Sequence, residues 1–126
     1  MANRNKGDLL STKAWDALHS EPKFLFDPNV WVNYSNNFTK GGICYFDYEG
    51  LLRKGGKDVS HFNKAMFKDR DGYYGWMGFG GSCFQWDPKY NISFAYVTTK
   101  LLVLDAPYSR SGALQKIIKD IVRKTK

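Results

Sequence analysis

Gly75-Trp76-Met77-Gly78-Phe79-Gly80-Gly81-Ser82 runs directly into Cys83-Phe84-Gln85-Trp86-Asp87-Pro88. Four residues further on, the chain returns as Ile92-Ser93-Phe94-Ala95-Tyr96-Val97. Aromatic and β-branched residues flanking an Asp-Pro turn predict two antiparallel strands, Gly81–Trp86 and Ile92–Thr99, joined through Asp87-Pro88-Lys89-Tyr90-Asn91. The glycines before them permit a backbone to approach another group closely, either a ligand or a neighbouring strand. The stretch therefore reads as a candidate site as well as part of the core.

Working outward, the clearest helix lies at the C-terminal end. Leu114, Ile117, Ile118, Ile121 and Val122 fall at i, i+3, i+4, i+7 and i+8, which predicts an amphipathic helix laid on a sheet. At the other end, Ser11 is a natural cap for a short helix over Thr12–His19, closed by Pro22. Residues 24–38 are aromatic but irregular, with turn chemistry at Asp27-Pro28-Asn29 and loop-favouring Asn33-Tyr34-Ser35-Asn36-Asn37. Gly41-Gly42 opens a further strand candidate, Ile43–Tyr48. Residues 51–70 are charged and glycine-punctuated, so they read as a surface excursion with a weak helical turn at His61–Phe67. These elements predict an α+β fold, an antiparallel sheet covered by an N-terminal and a C-terminal helix.

Composition sets the bounds. The 126 residues suffice for one domain, 1–126, and 43% hydrophobic with 17% aromatic residues supply a core. Residues 1–8 are polar and expected to be disordered. The net charge of +7 owes much to Lys116, Lys119, Arg123, Lys124 and Lys126, where basic residues complement a helix dipole. No stacking platform interleaved with arginines accompanies that tail, so nucleic acid is not expected as a partner. Two cysteines make no disulfide framework, and Cys44 and Cys83 read as small buried hydrophobes. His19 and His61 lack ligand-like spacing to either cysteine, so neither a metal nor another cofactor is expected. No apolar run reaches the ~20 residues of a membrane span, and no targeting segment precedes the first helix, which leaves the compartment open.

Gly78-Phe79-Gly80-Gly81-Ser82, Asp87-Pro88 and Phe94-Ala95-Tyr96-Val97-Thr98 together resemble the C-terminal part of the serine β-lactamase-related family. That family spans class C β-lactamases, penicillin-binding-protein-like esterases and eukaryotic β-lactamase-like proteins. Leu9-Leu10-Ser11-Thr12-Lys13-Ala14-Trp15 and Gly41-Gly42-Ile43-Cys44-Tyr45-Phe46 resemble the helix start and first strand that accompany this region. The resemblance implies a serine hydrolase whose Lys/His-Thr/Ser-Gly strand falls on Trp76, Met77 and Gly78. Phe79 would then offer a backbone N–H to an oxyanion hole.

Those four residues, Trp76, Met77, Gly78 and Phe79, are thereby expected to form one wall of a substrate cleft. Only Gly78 and the main chain keep the family pattern, because Trp76 carries no titrating group and Met77 no hydroxyl. The nucleophile-bearing Ser-x-x-Lys segment is expected to be missing. Ser20-Glu21-Pro22-Lys23 matches those four letters, and Tyr34-Ser35-Asn36 matches the family's Tyr-x-Asn. Only 13 residues separate Ser20 from Tyr34, however, and Pro22 disrupts the helix the pair would need. The expectation is a partial, catalytically silent hydrolase-like domain, with the missing domain portion or another protein as partner. The alternative is a non-enzymatic binding or scaffolding module that uses its aromatic sheet surface.

Overall fold

The computed structural model describes residues 9–27, 34–78, 80–100 and 109–125. Residues 1–8, expected above to be disordered, lie outside this set. The described elements are α1 (Thr12–His19), β1 (Lys23–Asp27), β2 (Tyr34–Phe38), β3 (Cys44–Tyr45), α2 (Tyr48–Gly55), α3 (His61–Phe67), β4 (Tyr74–Met77), β5 (Cys83–Asp87), β6 (Ile92–Tyr96) and α4 (Ser109–Lys124), with a 3-10 turn at Gly56–Asp58. The six strands form one antiparallel sheet in the order of the chain, so each strand pairs with its sequence neighbours. The architecture is α+β.

Local chemistry accounts for most boundaries. The Ser11 side chain accepts the Ala14 N–H at 3.2 Å and starts α1. The Asp47 carboxylate accepts the Gly50 N–H at 2.8 Å and starts α2, while Ser60 caps α3 through the Asn63 N–H. At the tip of the β5–β6 hairpin, the Asp87 side chain accepts the N–H groups of Lys89 and Tyr90, and Asn91 closes the turn with φ 56°. Gly75 sits in β4 with φ 137°, and a Cβ there would lie 2.1 Å from the carbonyl oxygen of Phe84. Strand β5 thus passes so close that only glycine fits.

The alternation of β4 and β5 separates two faces. Met77, Cys83, Gln85, Asp87, Ile92 and Phe94 point inward and are buried. They meet Leu51, Val59, Met66, Phe67 and Tyr73 from the segment between β3 and β4, and Ile118 and Val122 from α4. Residues 51–70 are therefore core-forming, contrary to the surface excursion expected of them. Two short capped helices turn Leu51, Met66 and Phe67 inward and leave the lysines in water. Residues 24–38 also depart from expectation. β1 and β2 form a regular ladder from Lys23↔Phe38 to Asp27↔Tyr34, because inter-strand hydrogen bonds override the weak loop preference of the asparagines. The strand expected at residues 43–48 shrinks to Cys44–Tyr45, since Asp47 begins a helix instead.

A larger correction concerns α4. Of the five residues expected against the sheet, Ile118 and Val122 pack on the core, whereas Leu114, Ile117 and Ile121 are exposed. The side turned inward carries Ser111, Gln115 and Lys119. Arg70, 1% exposed, donates from Nε to Gln115 Oε1 at 2.9 Å and from Nη1 to the Met66 carbonyl at 2.8 Å. Gln115 in turn donates to Gln85 Oε1 on the sheet. Lys119 donates to the Asp71 carbonyl and stands 3.9 Å from the Asp87 carboxylate. A polar network, rather than an apolar stripe alone, fastens this helix.

Candidate functional site

The opposite, outer face of the sheet carries Tyr74, Trp76, Phe84, Trp86, Ser93 and Ala95. Helix α1 covers one part of it through His19. The ring stands 4.6 Å from Tyr74 and 5.8 Å from Trp86, each edge to face. Its Nε2 lies 2.8 Å from Trp86 Nε1, and its Nδ1 lies 2.7 Å from the Trp15 carbonyl. An indole N–H only donates and a carbonyl only accepts, so the imidazole is held as the Nδ1–H tautomer. With both nitrogens engaged, His19 fastens α1 to the sheet and is not poised as a base.

Beyond α1 the face is half open among the described residues. Trp76 is 54% exposed, its cross-strand neighbour Phe84 49%, and Val97 81%. Hollows flank this aromatic ridge on both sides. One, of about 340 Å³, is bordered by Trp76, Gly78, Ser82, Phe84, Ala95 and Val97. The other, of about 300 Å³, is bordered by Leu18, Gly42, Ile43, Gly75, Phe84 and Trp86. Both are apolar and open to solvent.

The residues assigned by resemblance divide between the faces. Trp76 and Gly78 border the larger hollow, while Met77 points into the core. Phe79 lies outside the described residues. Gly78 donates its N–H to the Ser82 carbonyl at 2.7 Å, closing the β4–β5 hairpin, and accepts from the Gly81 N–H at 3.1 Å. Of the hydroxyls bordering the hollow, that of Ser82 is tied to the main chain, as is that of nearby Thr98. Ser82 Oγ accepts the Thr98 N–H, and the Thr98 hydroxyl donates to the Gly80 carbonyl.

The upstream four-letter match dissolves. Ser20 caps the C-terminal end of α1, its hydroxyl donating to the Ala17 carbonyl at 3.0 Å. Glu21, at φ 52°, then turns the chain so that Lys23 opens β1. No helix carries Ser20 and Lys23 one turn apart. Tyr34 and Asn36 lie in β2, paired with Asp27 and Leu25.

Other reactive groups are silenced by their surroundings. Cys44 and Cys83 are buried and form no disulfide. Burial pushes the Cys44 thiol up to about 12 and raises Cys83 as well, so neither presents a thiolate at neutral pH. A notch of about 90 Å³ on the opposite side is bordered by Asp69, Asp71, Asp120, Lys116, Lys119 and Arg123. Its acids and bases neutralise one another, which leaves little net field for a charged ligand. Among the described residues no cluster of histidine, cysteine and carboxylate side chains could hold a metal ion. No described helix is long and apolar enough to cross a membrane.

Phe84 was legible as strand sequence, Trp76 was reached only through the resemblance, and the hollows beside them were not foreseen. The His19–Trp86 contact spans 67 positions, so no local pattern could reveal it. No family model, curated protein or solved structure matches the chain.

Proposed function

We propose that this chain is the C-terminal portion of a serine β-lactamase-related hydrolase domain, catalytically silent by itself, whose outer aromatic face forms one wall of a cleft. The observation that carries the reading is the β4–β5 hairpin, which sets Trp76 and Gly78 beside an open apolar hollow with no poised nucleophile among the described residues. A Lys/His-Thr/Ser-Gly strand would present its first residue and its glycine at such an edge. Here the cation is replaced by an indole, and Met77 contributes to the core instead of offering a hydroxyl. Backbone shape would persist where the chemistry has gone.

Assays with nitrocefin and p-nitrophenyl esters test the silent reading. No turnover above buffer is expected. Hydrolysis abolished by Ser20→Ala would overturn it.

The exposed ridge also favours a second reading, a binding module without chemistry, because contiguous aromatic surface rarely stays bare. That reading expects the protein to bind an environment-sensitive hydrophobic dye, and Trp76→Ser to reduce the signal. A monodisperse monomer that leaves the dye dark would count against it.

A further inference from the structure

Strand β1 ends the sheet, and its sequence is symmetric about its own centre. It pairs with β2 on one side, and among the described residues no strand meets its other edge. Around Leu25 stand Phe24 and Phe26, then Lys23 and Asp27, then Pro22 and Pro28. Leu25 itself is 54% exposed. We infer that β1 pairs antiparallel with β1 of a second copy of this chain, about a two-fold axis at Leu25, joining two sheets into one.

An edge strand presents a row of backbone N–H and C=O groups that another strand satisfies. A two-fold antiparallel pairing centred on Leu25 sets every residue opposite its mirror position in the sequence. Lys23 of one copy then stands opposite Asp27 of the other, twice over, Phe24 stands opposite Phe26, and the two Leu25 side chains meet. Within one copy, Lys23 and Asp27 are about 13 Å apart along the extended strand, too far to neutralise each other. Pro22 and Pro28 donate no backbone hydrogen bond and so bound the ladder at both ends.

An edge lysine ordinarily discourages strand pairing, but Asp27 turns this one into a choice of partner. A parallel copy would align Lys23 with Lys23 and Asp27 with Asp27, like charge on like. An antiparallel copy with its axis on Phe24 would set Glu21 opposite Asp27 and draw Pro22 into the ladder opposite Phe26. With the axis on Phe26, Leu25 would face Asp27. A strand of unrelated sequence would use the same backbone groups and gain nothing from the mirror order. The inference is independent of the proposed hydrolase ancestry, since β1 lies three strands from Trp76 in β4.

The test is sedimentation velocity of the full chain. Five paired residues a side make a small contact, so the concentration series runs from about 5 to 500 µM. A monomer–dimer equilibrium is expected. Lys23→Asp and Asp27→Lys should each weaken it by about tenfold or more, since each sets like charges together at two places. Mixed in equal amounts, these two variants should associate again, and the double variant Lys23→Asp, Asp27→Lys should dimerise by itself. Leu25→Lys puts two ammonium groups at the axis and should abolish the dimer while circular dichroism and Tm stay unchanged. If that variant misfolds, the charge series decides alone. Trp76→Ser should leave the dimer intact. A monomer at every concentration overturns the proposal, as does a double charge swap that fails to restore association. So does a dimer that survives Leu25→Lys or dissolves with Trp76→Ser.

Discussion

The two faces of the sheet are closed by different physics. Inward, Arg70, Gln115 and Gln85 form one hydrogen-bonded chain beneath α4, and Lys119 stands beside Asp87, in contact with an apolar core. Outward, aromatic side chains stack under a single short helix, and Trp76 and Phe84 are left half bare. Buried polar groups demand particular partners at particular distances, so the inner face specifies one arrangement. Exposed aromatic rings accept any surface of fitting shape, so the outer face is the adaptable one. Function, whether as cleft wall or binding surface, is therefore sought outside, and stability inside.

Five measurements would sharpen or break that contrast. Arg70→Ala strands Gln115 and Ser111 and opens a cavity at the centre of the inner network. It should cost about 3–5 kcal/mol in urea unfolding. Gly75→Ala forces a Cβ onto the β5 backbone at a φ that side chains avoid, and about 2–4 kcal/mol should be lost by the same measurement. Trp86→Phe removes the indole donor to His19. A loss of about 1–2 kcal/mol is expected, with faster hydrogen exchange confined to α1.

Tyr73→Phe has the opposite sign. The Tyr73 hydroxyl is buried and has no hydrogen-bond partner among the described residues, so its removal should be neutral or stabilising by up to about 1 kcal/mol. Smallest of all, Trp76→Ser should shift stability by no more than about 0.5 kcal/mol while dimming hydrophobic-dye fluorescence. A Trp76→Ser loss as large as that of Arg70→Ala would erase the distinction between the faces.

Alkaline pH gives a further reading of the Tyr73 variant. Burial raises Tyr73 from 10.0 to about 12 and Cys44 from 9.0 to about 12, so the folded state favours their protonated forms. The stability they confer is fully present below pH 9.0 and is lost as pH climbs toward about 12. Lys119 runs the other way. Burial lowers it below 10.5, so the cost of keeping its ammonium inside diminishes as alkali neutralises it. Tyr73→Phe should blunt the alkaline loss, as measured by thermal melts stepped from pH 8 to pH 12.

Legibility in the sequence followed the range of the interactions. Ser11 announced α1 because its cap lies three residues from its partner, and the β5–β6 hairpin was plain because Asp87 organises its own turn. Leu51, Met66 and Phe67 were hidden among lysines and glycines, in helices too short to show a clean period. The facing of α4 was misjudged because hydrophobic periodicity is blind to partners such as Arg70 and Gln85, which make Gln115 an inward residue. At the candidate site, Trp76 lay in a glycine stretch that only the resemblance assigned to a strand, whereas the strand bearing Phe84 could be read directly. What lies over it could not, because coverage depends on His19 and Trp86 meeting across the fold.

Gly75 bears also on how the sheet is assembled. Its register partner is Gln85, and the β5 main chain there excludes any side chain from the opposing position. That exclusion belongs to the φ 137° backbone at this one position, which an L side chain rarely adopts. A single missing methyl thus lets two main chains close to a separation that alanine would hold open, so the inner sheet is tightest where the sequence is smallest.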